Sequence, residues 1–350
     1  MGFYARSFAV LLLTSILSYV FTLIITKLAY RYQWFDKDPH QIKDSQLRIP
    51  SFGGIAIFLS FWIGVFVLFP NLLYSAEHLS LLLASIVIVI TGLIDDVYEL
   101  SPLKKTFGIL LAANIVYFFT DVEFSSALLP VASPAVFNLV SYIATIVWIY
   151  LVTNSINLLD GLDGLASSVT ATSLLSLAII TYFFSLSIRM TFLFMILLLL
   201  AAILGFLPHN WAPAKIYLGD TGALFIGFMY ATLTVTNLKN ASFYSLIVPV
   251  TLYAVPIFDF VYAFLRRMVN GQPVTEADQE HIHHRLLKLG LSEKKIVGLM
   301  ISITLLFSGV AILANLLPSY RWLWAIVTLL MIFAMFLGMY MLSNKNSDNK

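Results

Sequence analysis

Apolar runs of near-spanning length recur along the chain, separated by short polar stretches. Windows of about twenty residues place eleven apolar spans near 8–28, 52–69, 79–94, 105–120, 136–153, 164–184, 190–207, 222–237, 243–265, 296–316 and 321–342. The pattern predicts an all-α, polytopic integral membrane protein, with residues 1–350 forming one transmembrane domain. The first run, Phe8 to Leu28, is longer than the apolar core of a secretory signal, and no small-x-small cleavage site follows it. It is therefore expected to be a retained span. No inverted repeat of the transporter kind, no low-complexity tract and no separate soluble domain is visible.

Composition agrees with this reading: of 350 residues, 60% are hydrophobic and 11% charged, far outside the soluble globular range. The distribution of charge adds an orientation. If the loop 31–50 is cytoplasmic, the loops and tail on its side hold sixteen Lys and Arg, and the other side holds only Arg6, Arg189, Lys239 and Arg321. The positive-inside bias predicts an N-terminus outside and a cytoplasmic C-terminus. Asp and Glu barely influence insertion, yet only Glu77, Asp121 and Glu123 fall outside. Something other than topology therefore gathers carboxylates on the inner face, in loops near 30–51, 95–104, 154–164, 208–221 and 266–295. The absence of Cys excludes disulfides, thiolate metal sites and Cys nucleophiles, and a net charge of +2 gives no argument for nucleic acid.

Five inner stretches carry groups with chemistry. RIPSFGG, Arg48 to Gly54, offers Arg48 as a candidate phosphate contact and two glycines that permit close packing or backbone approach to a ligand. GLIDDVYELSPLKK, Gly92 to Lys105, sets Asp95 beside Asp96 where a span leaves the bilayer. A divalent cation relieves both their repulsion and their lost hydration, and Lys104 and Lys105 suit a phosphate-bearing ligand. The alternative is a solvated loop that ends a helix with charge.

In NSINLLDGLDGLA, the residues Asn154, Asn157, Asp160 and Asp163 recur every three positions. On an α-helix each step turns by about −60°, so the four would sweep roughly half the circumference and line a concave site. Ordinary Asx-turn and capping roles are the alternative. PHNWAPAKIYLGDTGALFIGF supplies Asn210, Lys215 and Asp220, and Asp220 suits either an N-cap or a hard-cation ligand at a helix start. The last stretch joins Asp259, an ionisable group inside a span, to Arg266, Arg267 and the cluster His281, His283, His284, Arg285, Lys288. No HExxH spacing occurs, and the flanking cations favour an anion site, or a basic loop against anionic lipid, over zinc. Carboxylates, amides, lysines and histidines on one face imply a divalent metal and a phosphorylated substrate with a lipid acceptor. An ion-coupled transporter is the rival from another class, but its key groups belong near the midplane.

The ordered set DD…K, NxxNxxDGxDGLA, PAKIxxGDTG and HxHHRL resembles the polyprenyl-phosphate N-acetylhexosamine-1-phosphate transferases over roughly Arg48 to Ser292. PAKIYLGDTG and HIHHRLLKLGLS are more similar to the bacterial branch using UDP-GlcNAc than to the phospho-MurNAc-pentapeptide translocase, which stays as the alternative within the superfamily. The resemblance implies transfer of a sugar-1-phosphate from a UDP-N-acetylhexosamine to undecaprenyl phosphate with release of UMP. It further implies Mg²⁺ or Mn²⁺, a first membrane step of cell-envelope glycan synthesis, and an active site on the cytoplasmic face of the cell's inner membrane. The bilayer is the expected partner besides the substrates, nucleic acid is not, and a homodimer is admitted.

Matched residue by residue, Asp220 is the first choice for the metal, with Asp95, Asp96 and Asn157 beside it. Asp95 is the candidate base, and His281, His283 and His284 belong to the catalytic set. Asn154, Asn157, Asp160, Asp163 and Asn210 are expected along the nucleotide-sugar site, and Arg48, Lys104, Lys105, Lys215, Arg267 and the histidines at phosphates. Upstream of the histidines the chain reads GQPVTEADQE, with Gln279 where relatives carry a basic residue, so the donor is UDP-GlcNAc or another UDP-N-acetylhexosamine.

Overall fold

The computed structural model describes residues 2–35, 49–124, 133–184, 190–238, 248, 250–269, 271 and 281–347. Its helices are α1 Phe3–Tyr32, α2 Gly53–Leu68, α3 Ala76–Tyr98, α4 Pro102–Phe119, α5 Pro134–Leu159, α6 Leu165–Phe184, α7 Met190–Asn210, α8 Gly219–Leu238, α9 Ala254–Val269, α10 Ile282–Lys288, α11 Glu293–Leu316 and α12 Arg321–Ser347. Among the described residues there is no strand.

Seven of these helices are long and apolar enough to cross a membrane: α1, α3, α5, α6, α7, α11 and α12. The chain is a multi-pass membrane protein. The sequence pattern counts eleven spans, and the difference has physical causes. The 16 residues of α2 are apolar but short; at 1.5 Å per residue they cover about 24 Å of a roughly 30 Å hydrocarbon layer. In α8, every residue from Thr221 to Thr236 is buried. It packs against α2, α3, α5, α6 and α7, so it faces protein, not lipid. The hydroxyls of Thr232 and Thr236 are satisfied inside the helix, donating to Phe228 O at 2.8 Å and to Thr232 O at 2.9 Å. A helix so enclosed tolerates Thr and Gly, which dilute its hydropathy.

Polar contacts between helices fix the bundle. Ser18 Oγ donates to Ala202 O at 2.6 Å between α1 and α7, and Trp148 Nε1 to Thr234 Oγ1 at 3.2 Å between α5 and α8. Large apolar side chains such as Leu329, Leu330 and Phe333 stay exposed along α12, as a lipid-facing surface requires. A second, smaller core lies apart from the main one. Leu159, Leu162 and Leu165 at the α5–α6 junction meet Phe258 and Tyr262 of α9, Ile282 and Leu286 of α10, and Val297 and Met300 of α11. This cluster seats the histidine helix against the DGLDG turn.

Candidate active site

Three helix ends bring the acidic motifs together. Asp95 and Asp96 lie in the last turns of α3, and Asp220 lies in the first turn of α8. Asp96 joins the two across 124 residues: its Oδ1 accepts the Asp220 N–H at 2.7 Å, and its Oδ2 accepts the Thr221 N–H at 3.1 Å and the Thr221 hydroxyl at 2.5 Å. The N-terminal amides of α8 are thus capped by a carboxylate from another helix, the charge sign that the helix dipole favours there. Asp220 itself is not the cap. Gly219 permits the close approach, with φ +71 and a position where a β-carbon would overlap the Ser51 carbonyl. Backbone bonds from Gly53 N to Tyr217 O at 3.1 Å and from Gly54 N to Leu218 O at 3.0 Å tie the start of α2 to the same point.

With its amides held, Asp220 turns its carboxylate to a cation. Lys105 Nζ donates to Asp220 Oδ1 at 3.0 Å and to Asn157 Oδ1 at 3.2 Å, and pairs with Asp95 Oδ2. Asn157 Nδ2 donates in turn to Asp220 Oδ1. The other Asp95 oxygen accepts the Leu100 N–H at 2.7 Å. One ammonium therefore sits among oxygens from α3, α5 and α8. Of the two candidate lysines, Lys105 reaches this hub, whereas Lys104 is exposed. Two carboxylates and an amide oxygen suit a hard divalent cation with oxygen ligands. Among the described residues, no group of three or more His, Asp or Glu forms a ready-made metal cage. Mg²⁺ sites held by one or two carboxylates plus substrate phosphates have this character.

The NSINLLDGLDGLA stretch is not one helix. α5 runs to Leu159 and Asp160 is its C-cap residue, so the three-residue repeat leaves helical register halfway. Asn154 Nδ2 turns back to Tyr150 O at 2.9 Å, Asn157 enters the hub, and Asp163 Oδ2 accepts the Ala214 N–H at 2.8 Å. Asp160 is half-buried; its burial, with the Asp220 and Asp163 carboxylates nearby, pushes its carboxyl up to about 8. An added cation would relieve this acidic pocket. Burial, with the charges of Asp163 and Glu293, likewise pushes the Tyr217 phenol up to about 12.

The remaining predicted residues divide into those near these groups and those in the scaffold. Asn210 is buried and holds the α7–α8 connection, accepting from Ser167 Oγ at 3.0 Å and donating to Ile216 O at 3.1 Å. Lys215 is exposed on that connection. The His283 ring packs on Gly161 so closely that a β-carbon there would overlap it, which brings the histidine loop to the Asp160–Asp163 turn. The His281 and His283 rings stack with centroids 5.9 Å apart, and those of His283 and His284 lie 4.2 Å apart. Arg267 is buried in the last turn of α9. Arg285 belongs to the scaffold: it donates to Met339 O at 3.1 Å and lies over the Tyr262 ring, anchoring α12. Arg48 and Gln279 lie outside the described residues.

Sequence reasoning missed Thr221 as a partner of Asp96, and nothing in the local pattern signals it. It also missed the amide acceptors on Asp95 and Asp163, for which the neighbouring turns were the only hint.

A family model described as glycosyl transferase family 4 matches residues 78–237, the segment from α3 to α8 that contains the hub. A probable undecaprenyl-phosphate N-acetylglucosaminyl 1-phosphate transferase of Bacillus subtilis is 34% identical, the alignment covering 87% of this chain and 83% of that protein. A decaprenyl-phosphate N-acetylglucosaminephosphotransferase of Mycobacterium leprae is 31% identical over 72% of this chain and 69% of its own length. An undecaprenyl-phosphate alpha-N-acetylglucosaminyl 1-phosphate transferase of Thermotoga maritima is 26% identical over 84% and 86%. Motifs, matched segment and relatives coincide, and the chain belongs to glycosyl transferase family 4, within the polyprenyl-phosphate N-acetylhexosamine-1-phosphate transferase superfamily.

Proposed function

We propose that this protein transfers N-acetylglucosamine-1-phosphate from UDP-GlcNAc to undecaprenyl phosphate, releasing UMP, on the cytoplasmic face of the inner membrane. The observation that carries the reading is the convergence of Asp95, Asn157 and Asp220 on one cation at Lys105. The relatives' names supply the sugar and the lipid. Position supports an enzyme over a transporter, because Asp95, Asp96, Asn157, Asp160 and Asp220 all sit at helix ends, away from the middle of the bundle. Eleven spans, with the N-terminus outside and the C-terminus inside, would set all these ends on one side.

An undecaprenyl phosphate oxygen attacks the β-phosphorus of the nucleotide sugar in line. The new oxygen–phosphorus bond forms as the bond from the β-phosphorus to the bridging oxygen breaks, and UMP departs with that oxygen. A phosphate monoester has a second pKa of about 6, so the acceptor is largely dianionic at neutral pH and needs no strong base. Asp95, with one oxygen on the Leu100 amide and the other on Lys105, is suited to hold Lys105 in place. Lys105 offers charge to the phosphates, and the histidine loop closes the side of the pocket next to Asp160 and Asp163. Asp220, Asp95 and Asn157 would hold Mg²⁺ or Mn²⁺, which supplies charge neutralisation for the diphosphate.

The test is purified protein with undecaprenyl phosphate, Mg²⁺ and a panel of UDP-sugars, scored for UMP release. UDP-GlcNAc is expected to give the highest kcat/KM. No release with any UDP-N-acetylhexosamine from folded protein rejects the proposal, and a phosphorylated aspartate trapped on donor alone rejects the direct attack.

A further inference from the structure

Asp259 is the one carboxylate in the middle of α9, and its surroundings point to a second function in the same site. Its Oδ2 lies 3.0 Å from His281 Nδ1, and its Oδ1 accepts the Ile282 N–H at 3.0 Å. Both side chains are buried, Asp259 at 2% and His281 at 4% exposure. A single carboxylate thus holds both the ring of His281 and the backbone at the start of α10, across 22 residues of chain. Because a carboxylate only accepts, His281 must carry its proton on Nδ1, and Nε2 is the nitrogen left to a ligand. The stacked His283 ring rests on Gly161 beside Asp160.

We propose that Asp259 is a positioning residue of the transfer reaction: it holds the Nδ1–H and the orientation of His281, so that Nε2 faces a substrate phosphate and, in the doubly protonated ring, donates to it. The inference rests on the reading of the protein as a sugar-1-phosphate transferase. Its geometry is that of a carboxylate–histidine pair, in which the carboxylate selects the tautomer and the ring does the work.

The substitution Asp259→Asn separates the two contacts. An asparagine oxygen still accepts the Ile282 N–H, so α10 stays seated, but its amide NH₂ now faces Nδ1 and demands an unprotonated Nδ1, which excludes the doubly protonated ring. Loss of a carboxylate behind a functional histidine typically costs about 10- to 100-fold, and this is the expected fall in kcat/KM for the UDP-sugar. The readout that a merely structural role would not give is a double-mutant cycle. In a His281→Gln background, Asp259→Asn is expected to cost less than about twofold more, because its effect runs through the ring it no longer finds. Losses that multiply, or Asp259→Asn that is folded and within about twofold of wild type, overturn the proposal. Should Asp259→Asn not fold, the cycle is run with Asp259→Glu, read by the same two outcomes. Wild-type protein that releases no UMP sinks the transferase reading instead, so the two failures are distinguishable.

Discussion

The contact most open to a quantitative test is the cap that Asp96 places on α8. In Asp96→Ala, the Asp220 and Thr221 amides and the Thr221 hydroxyl lose their acceptor in a buried site. Hydrogen bonds to a charged acceptor contribute about 1.5–3 kcal/mol each, and an N-cap about 0.5–2 kcal/mol, but bonds sharing one carboxylate do not add. A loss of about 3–4 kcal/mol follows. Asp96→Asn keeps one acceptor oxygen and loses the charge at the helix N-terminus, for about 1–2 kcal/mol. Equilibrium unfolding of the purified variants in a mild detergent should rank wild type above Asn and Asn above Ala, with activity falling in the same order as Asp220 loses its fixed position. The reasoning fails if Asp96→Ala unfolds within about 0.5 kcal/mol of wild type while losing activity. Asp96 would then act on a ligand, and the metal role suggested by the sequence would take precedence over the cap.

Two further outcomes follow from the hub. Lys105→Met is expected to lower kcat/KM by about 100-fold or more and Lys104→Met by less than about twofold. In Lys105→Met, Mg²⁺ should also raise the unfolding temperature more than in wild type, because the Asp95 and Asp220 charges are left without their ammonium; an equal Mg²⁺ effect in both proteins would contradict the shared cation position. The raised Asp160 carboxyl makes stability depend on pH. Between its ordinary value of about 3.9 and about 8 the folded state holds a proton that the unfolded chain has lost, so this group's contribution declines as pH rises through that window and is level above it. Asp160→Asn should therefore gain stability over wild type from pH 5 to pH 8, measured as thermal unfolding without metal or substrate; a pH-independent difference would argue against the buried acidic pocket.

Much of this arrangement was legible because membrane topology is periodic. Alternating spans put loops on alternate sides, so the sequence places Asp95, Asn157, Asp220 and His283 on one face as an expectation, and the contacts Lys105–Asp220 and His283–Gly161 bring these motifs together. Two things were not legible. The three-residue spacing of Asn154, Asn157, Asp160 and Asp163 is compatible with one continuous helix, but the helix stops at Leu159 and Asp160 caps it. Neighbouring residues on a helix point about 100° apart, so the choice between Lys104 and Lys105 waits on which side of α4 meets α3 and α5. That is a packing fact, which spacing does not contain.

The excess of carboxylates on one face has a second explanation besides chemistry. Asp95 accepts the Leu100 amide, Asp96 the amides of Asp220 and Thr221, Asp163 the amide of Ala214, and Asp259 that of Ile282. Each holds backbone at a turn or helix start, and three of the four reach a segment more than twenty residues away. Such places have unpaired N–H groups that no helix of the bundle can satisfy, and an anionic acceptor is a strong partner for them. Asp95 Oδ2 and Asp220 Oδ1 are left to Lys105, and Asp259 Oδ2 to His281. The acidic motifs therefore do two jobs: they staple these loops to one another and leave a few oxygens for a ligand. Loss of activity on alanine substitution cannot separate these jobs, since either one disables the enzyme. Stability measured beside KM and kcat can, because a staple changes all three and a ligand contact leaves unfolding almost unmoved.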